Sequence, residues 1–229
     1  MLIEVIADTI EDAKIAEKAG ANRIELITGV AEGGLTPSYG LIKAVCEAVS
    51  IPVYVMIRPH SRSFYYTPEE LKMMAEDIRI CKELGAKGVV FGVLNENQTI
   101  NEEGVKLLVE AAQGIDITFH RAFDEVPDQI EAIKILKNYP EITRILTSGG
   151  EDKAPQAIEQ FQLLVKETES TDLTIMAGAG LSVDNIDFFL SKVKVSEIHF
   201  GSGVHHNSSS YEPIDPSKIQ QILDIASNY

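Results

Sequence analysis

The stretch Ile115-Asp116-Ile117-Thr118-Phe119-His120-Arg121-Ala122-Phe123-Asp124 decides how this chain is read. Its apolar start reads as a strand, and a helical pattern opens near Asp128, so His120, Arg121 and Asp124 fall where a strand runs out into a loop. Three ionisable residues crowded at that point suit a core poorly and a site well. The same order, from apolar strand through polar strand end and loop to helix, recurs on both sides of it.

Toward the N-terminus, strand patterns cover 2–7, 23–27, 53–57 and 88–93, each followed by a helical pattern, at 10–19, 39–49, 68–84 and 101–112. Toward the C-terminus, the helix of the quoted unit spans 128–138, then strands at 143–146, 173–177 and 196–200 alternate with helices at 154–168, 184–192 and 217–226. Gly20 closes the first helix in the left-handed position, and Thr67-Pro68-Glu69-Glu70 opens the third with a cap, a proline and two acids. Eight strand–helix units without a linker or composition shift predict one α/β domain over 1–229, a single (β/α)₈ TIM barrel. A doubly wound open sheet is the competing arrangement, but no nucleotide-type glycine fingerprint follows the first strand.

Composition narrows the function. The chain has 229 residues, 45% of them hydrophobic, enough for a sizeable core. A net charge of -15 opposes binding to nucleic acid or an anionic membrane surface, both polyanions. No apolar run approaches the roughly eighteen residues that span a bilayer. Met1 to Val5 goes straight into a strand pattern without a basic region, so we expect no signal peptide. The two cysteines, Cys46 and Cys81, each fall inside a helical pattern, which fits a reducing cytoplasm and no disulfide framework. Apolar helix faces leave room for a homodimer.

Strands of a parallel barrel are covered on both sides, yet five of these carry ionisable residues, and alternation assigns each a side. With Ile3, Val5 and Ala7 facing the helices, Glu4 points into the barrel. With Ile24 and Leu26 out, Arg23 and Glu25 point in. Tyr54, Met56 and Arg58 point in from the third strand, Thr118 and His120 from the fifth, and Glu197 and His199 from the eighth. Deep in the barrel such charges must pair, for instance Arg23 with Glu4 and Arg58 with Glu25. At the C-terminal mouth, where barrels of this kind place their chemistry, they predict a ligand site.

His120 is the natural acid/base there, with neighbouring carboxylates expected to raise its pKa, while Arg58 clamps an anionic group and Glu25 orients His120 or serves as base. Gly178 and Gly180 after the seventh strand, and Gly201 and Ser202 after the eighth, offer backbone N–H groups to an anion, with Ser148 adding a hydroxyl. Glu4, Arg23, Asp124 and His199 complete the ligand-binding candidates. Glu25, His120 and His199 are alternatively a mixed set for copper or another divalent metal. His205 and His206 sit on a Ser-rich loop, where adjacency alone carries little. No inward lysine lies at a strand end, which counts against Schiff-base chemistry. The partner expected is therefore a small anionic ligand or a metal ion.

With these residues in hand, the chain resembles the CutC family of copper homeostasis proteins over nearly its whole length. The resemblance rests on Arg23-Ile-Glu-Leu26, Glu32-Gly-Gly-Leu-Thr-Pro-Ser38, Met56-Ile-Arg-Pro59, Thr118-Phe-His-Arg-Ala-Phe-Asp124, Arg144-Ile-Leu-Thr-Ser-Gly149 and Ile175-Met-Ala-Gly-Ala-Gly180. It implies a TIM barrel, a cytoplasmic location and an association with copper tolerance, without a firmly attached reaction. Members proposed to bind Cu(I) carry cysteines at positions matching Ala7 and Ile27 here. His60-Ser-Arg-Ser63 also replaces a glycine-containing acidic version of that loop.

Overall fold

Each apolar strand face predicted above has to be covered, and helices cover it. The computed structural model describes residues 1–229. Four units come first: β1 (Leu2–Ala7), α1 (Ile10–Ala19), β2 (Arg23–Leu26), α2 (Tyr39–Ala48), β3 (Val53–Met56), α3 (Pro68–Glu83), β4 (Gly88–Phe91) and α4 (Glu102–Ala112). Four follow: β5 (Asp116–Phe119), α5 (Gln129–Leu136), β6 (Ile142–Thr147), α6 (Ile158–Thr168), β7 (Thr174–Ala177), α7 (Ile186–Lys192), β8 (Glu197–Phe200) and α8 (Pro216–Ala226). Neighbouring strands are parallel, and β1 pairs with β8, so the sheet closes in chain order into a (β/α)₈ barrel. No helix is long and apolar enough to cross a membrane.

Local chemistry sets the boundaries. The Thr9 hydroxyl accepts the Asp12 N–H at 3.0 Å to start α1, and Gly20, at φ 103°, ends it. Thr67 and Glu70 cap α3 reciprocally, with Pro68 in its first turn. Several ends differ from the sequence reading. β2 stops at Leu26, although the Ile27 N–H still donates to the Ala7 carbonyl at 3.0 Å, and β4 stops at Phe91. The helix expected over 154–168 divides into a 3₁₀ turn, Ala154–Gln156, and α6. The one expected from 184 begins at Ile186, since the Asn185 side chain instead accepts the Ser182 N–H at 3.0 Å.

The alternation of faces holds. Ile3, Val5, Ile24, Leu26, Val53, Val55, Ile117, Phe119, Ile198 and Phe200 belong to the core between sheet and helices. Ile27, Tyr54, Met56 and Val90 form a separate apolar cluster inside the barrel. Register places Glu4 level with Arg23 on one side and His199 on the other, and Thr118 level with Arg144.

Candidate functional site

The deepest inward residues solve the problem of buried charge among themselves. Arg23 Nε donates to Glu4 Oε2, and Arg23 Nη2 donates to Glu197 Oε2 at 2.5 Å. Arg144 Nε donates to the same Glu197 oxygen at 3.0 Å. Both guanidinium groups lie on the Tyr54 ring, 4.8 and 5.0 Å from its centroid, and the Tyr54 hydroxyl donates to Asp116. The ring fits across the barrel because Gly88 has no side chain; a Cβ there would lie 2.7 Å from it. This is the expected Arg23–Glu4 pairing, extended by Arg144. From sequence Arg144 is named only within a family motif and given no side, although it alternates with the outward Ile145 and the same parity rule assigns it inward. Glu4 and Arg23, nominated as ligand-binding, are bonded within this network beneath the mouth.

One arm of the network rises toward the mouth. Glu4 Oε1 lies 2.7 Å from His199 Nδ1, and His199 Nε2 lies 3.8 Å from Glu25 Oε2. Burial works to raise the Glu4 pKa, but Arg23 and His199 outweigh it and hold the carboxyl at about 2. Burial opposes charge on His199, yet Glu25 and Glu4 beside it raise its pKa. Burial dominates at Glu25, which is pushed up to about 7 despite His199. Glu25 Oε1 has no hydrogen-bond partner.

Above this arm opens a cavity of about 260 Å³. Glu25, Arg58, His120, His199, Gly180, Gly201 and Ser202 line it, all of them sequence candidates. Arg58 does not pair with Glu25, in contrast to the example given above. Its Nη1 donates to the Glu32 and Gly34 carbonyls at 2.8 and 3.2 Å, and its guanidinium stacks 4.8 Å from the Phe64 centroid. The β2 loop curls over Arg58 and offers these carbonyls first. Arg58 Nε remains without a partner.

His120 also differs from expectation. Its Nδ1 accepts the Ala122 N–H at 3.1 Å, at the start of the 3₁₀ turn Arg121–Glu125. Burial, and then the nearby Arg58 charge, push its pKa down to about 3 rather than up, because no carboxylate faces it. A neutral imidazole that accepts at Nδ1 carries its proton on Nε2, and Nε2 has no partner. Gly92 makes room for the ring; a Cβ there would sit 2.6 Å from Nδ1.

The β7 and β8 loops form the opposite wall. Gly180 has φ +68°, and a Cβ on Gly203 would lie 2.0 Å from the Leu181 carbonyl, so glycine lets the two loops touch. The backbone N–H groups of Gly180, Leu181, Ser202 and Gly203 donate to no protein acceptor. Gly178 stands behind this wall, packed on Leu146 and His199. Asp124 and Ser148 lie beside the cavity in a loop clamp. Asp124 accepts from Thr147, from the Ser148 N–H at 3.1 Å and hydroxyl at 2.9 Å, and from Arg121 Nε at 2.7 Å. Asp8 and His205 line the cavity as well. His205, taken from sequence as a loop residue, is buried, with Nδ1 2.6 Å from the Glu212 carbonyl. Nothing in the local pattern separates it from the exposed His206.

Residues 1–204 match the CutC family. A CutC family protein of Pasteurella multocida (strain Pm70) is 38% identical over 212 residues, 92% of this chain and 86% of the relative. The copper homeostasis protein cutC homolog of Homo sapiens is 38% identical over 198 residues, 86% of this chain and 72% of the relative. The chain belongs to the CutC family. A crystal structure of a protein that carries the CutC name, from Streptococcus agalactiae, superposes with a TM-score of 0.82 at 34% identity, covering 87% of this chain and 97% of that one. A phosphoribosyl anthranilate isomerase from Thermococcus kodakaraensis, at TM-score 0.68 and 16% identity over 100% of this chain and 99% of its own, shares the fold alone.

Copper, which the CutC name brings with it, fits these residues poorly. Cu(I) prefers thiolate and thioether donors. At the two positions that match the cysteines of the resembled members, Ala7 and Ile27 are buried and apolar. Cys46 and Cys81 lie on α2 and α3, outside the barrel, with burial pushing both thiols up. The Met56 thioether is the one sulfur in the cavity lining. Among the hard donors the close cluster is Glu4, Glu25 and His199, with Glu4 standing where the sequence reading had His120. Both Glu4 oxygens are already bonded, one to Arg23 and one to His199, so the cluster has no third free ligand.

Proposed function

We propose that this CutC-family protein works through the cavity at the C-terminal mouth, that the cavity takes a small anionic organic ligand, and that no Cu(I)–thiolate site operates in this chain. One observation carries the reading. Three side chains lining the cavity, Glu25, Arg58 and His120, each hold a buried polar atom with no partner. A buried unsatisfied group costs about 1–3 kcal/mol, so a ligand that engages it recovers that energy. Two of the three atoms, Arg58 Nε and His120 Nε2, are donors, and the free N–H groups of the β7 and β8 loops add more. This set of donors, facing the Glu25 carboxyl with Asp8 as the second acid of the lining, selects an oxyanion-bearing molecule, even in a chain of net charge -15. The two free thiols are consistent with work in a reducing compartment, the cytoplasm.

Two measurements test this. Titrated with Cu(I) against a competing chelator under reducing conditions, the protein shows no binding tighter than micromolar; tighter binding would sink the proposal's second half. Orthophosphate as a probe shifts the Ser202 and Gly203 amide resonances, and Arg58→Ala weakens that binding about 10-fold or more, the worth of a hydrogen bond to a charged group. Unchanged affinity in a folded Arg58→Ala protein would remove Arg58 from the site.

A further inference from the structure

The cavity holds two groups whose chemistry is complementary. Glu25, on β2, presents a carboxyl with one oxygen unbonded and the other facing His199. His120, at the end of β5, presents a neutral imidazole whose proton is fixed on Nε2 by the Ala122 N–H at Nδ1. Both are buried and both line the same cavity, on strands three apart in the barrel. Resting on the anion site proposed above, we propose that the protein catalyses enolisation of a small α-hydroxycarbonyl compound bearing an oxyanion, with Glu25 as base and His120 as the neutral donor to the carbonyl oxygen.

The step is redox-neutral and needs no cofactor. A Glu25 oxygen takes the proton from the carbon α to the carbonyl. The C–H electron pair becomes the C=C bond, and the carbonyl π pair moves onto oxygen, where the His120 Nε2–H stabilises it. Glu25, now a carboxylic acid, returns the proton to either carbon; return to the former carbonyl carbon, with the enediolate hydroxyl proton passing to the former carbonyl oxygen, completes an aldose–ketose type isomerisation. The oxyanion of the substrate rests on the Ser202 and Gly203 N–H groups and Arg58, which hold the reacting carbon over the floor of the site.

Three features of the structure serve this chemistry. Burial pushes the Glu25 pKa up to about 7, where both of its forms are present at neutral pH, as a base that must return its proton requires. His199 is anchored by Glu4, and Glu4 by Arg23, so the group facing Glu25 is fixed in place. His120 stays uncharged at neutral pH and acts as a donor rather than an acid. A glutamate base paired with a neutral histidine donor is, by analogy, the arrangement of a known enolising isomerase.

The first test needs no ligand. In ¹⁵N NMR of the imidazole nitrogens, His120 shows a protonated Nε2 and an unprotonated Nδ1 from pH 5 to 8. A His120 that titrates near 6.5, or carries its proton on Nδ1, overturns the inference. The second test incubates the protein in D₂O with dihydroxyacetone phosphate or hydroxypyruvate, which separates a phosphate from a carboxylate requirement. Amide shifts at Ser202 and Gly203 report binding, and loss of the carbon-bound proton signal reports enolisation. At least one probe binds and exchanges. Glu25→Gln slows exchange about 10²–10⁴-fold. His120→Phe slows it about 10²–10³-fold, and His120→Gln, which keeps an N–H donor, restores part of the loss. A probe that binds without exchanging, or exchange indifferent to Glu25→Gln, overturns the enolisation and leaves the anion site standing. Failure of both probes to bind at millimolar concentration overturns both.

Discussion

Arg23 is the residue on which the barrel interior turns. It joins Glu4 to Glu197, lies on Tyr54 and lets Glu4 hold His199 upright beneath the cavity. Taking away one partner of a buried ion pair leaves the others as uncompensated charges, and this cost exceeds what the pair contributes when intact. Arg23→Met therefore destabilises the protein by about 3–5 kcal/mol in urea unfolding at neutral pH. A loss below about 1 kcal/mol, the worth of a surface pair, would mean that water reaches the network. Parity along β1, β2 and β8 makes this pairing legible from the sequence. It does not say that Arg58, equally inward, would be taken by the carbonyls of its own neighbouring loop.

At the scale of elements, glycines in β4 and just beyond it decide how much the barrel can hold. Gly88 faces the Tyr54 ring and Gly92 faces His120, each leaving less than 3 Å for a Cβ. Gly88→Ala overpacks the floor and destabilises by about 1–3 kcal/mol, measured by thermal or urea unfolding. Gly92→Ala pushes on a ring at the cavity wall, so it displaces the His120 imidazole resonances in NMR while the far-ultraviolet circular dichroism of the barrel stays unchanged. By contrast, Thr67→Ala removes a cap that does not line the cavity, costs about 1 kcal/mol and leaves phosphate binding as it was. The sequence shows that β4 starts with one glycine and is followed by another. It cannot show which side chain occupies the space, because Tyr54 and His120 arrive from other strands.

For the whole molecule, the buried groups set how stability follows pH. Between about 6.5 and 4.5 the unfolded chain protonates His120 while the folded protein, with its pKa near 3, does not, so His120 removes stability as pH falls. Over the same range the folded protein protonates Glu25, pKa about 7, and the unfolded chain does not, so Glu25 adds stability. The two opposing slopes leave that interval nearly flat. Below about 4.5, Glu25 is protonated in both states, so its stabilisation is complete and adds no further slope. Glu4, at about 2 in the folded protein, then joins His120, and stability falls steeply toward pH 3. Above 6.5 the raised pKa of His199 adds a decline as pH rises. Urea unfolding across pH 3–8 measures this profile. In His120→Gln, Glu25 is unopposed and stability rises as pH falls from 6.5 to 4.5; a profile identical to that of the parent would refute the assignment.

What the sequence determined by itself is the architecture and the side of the sheet each strand residue faces. Those follow from short-range rules, a repeat of eight strand–helix units and a side-chain period of two. It also determined that Glu25, Arg58, His120 and His199 belong at one end of the barrel, and that thiols are missing at Ala7 and Ile27. What only the tertiary structure decided is which of those groups are already engaged and which are left open. Glu4 is closed by Arg23 and His199, Asp124 by the Thr147–Ser148 loop, and Arg58 in part by Glu32 and Gly34. Glu25 and His120 are left with unbonded atoms facing no protein partner. The physical reason is that alternation along a strand fixes direction, whereas hydrogen bonding and pKa depend on distances between residues brought together only when the barrel closes.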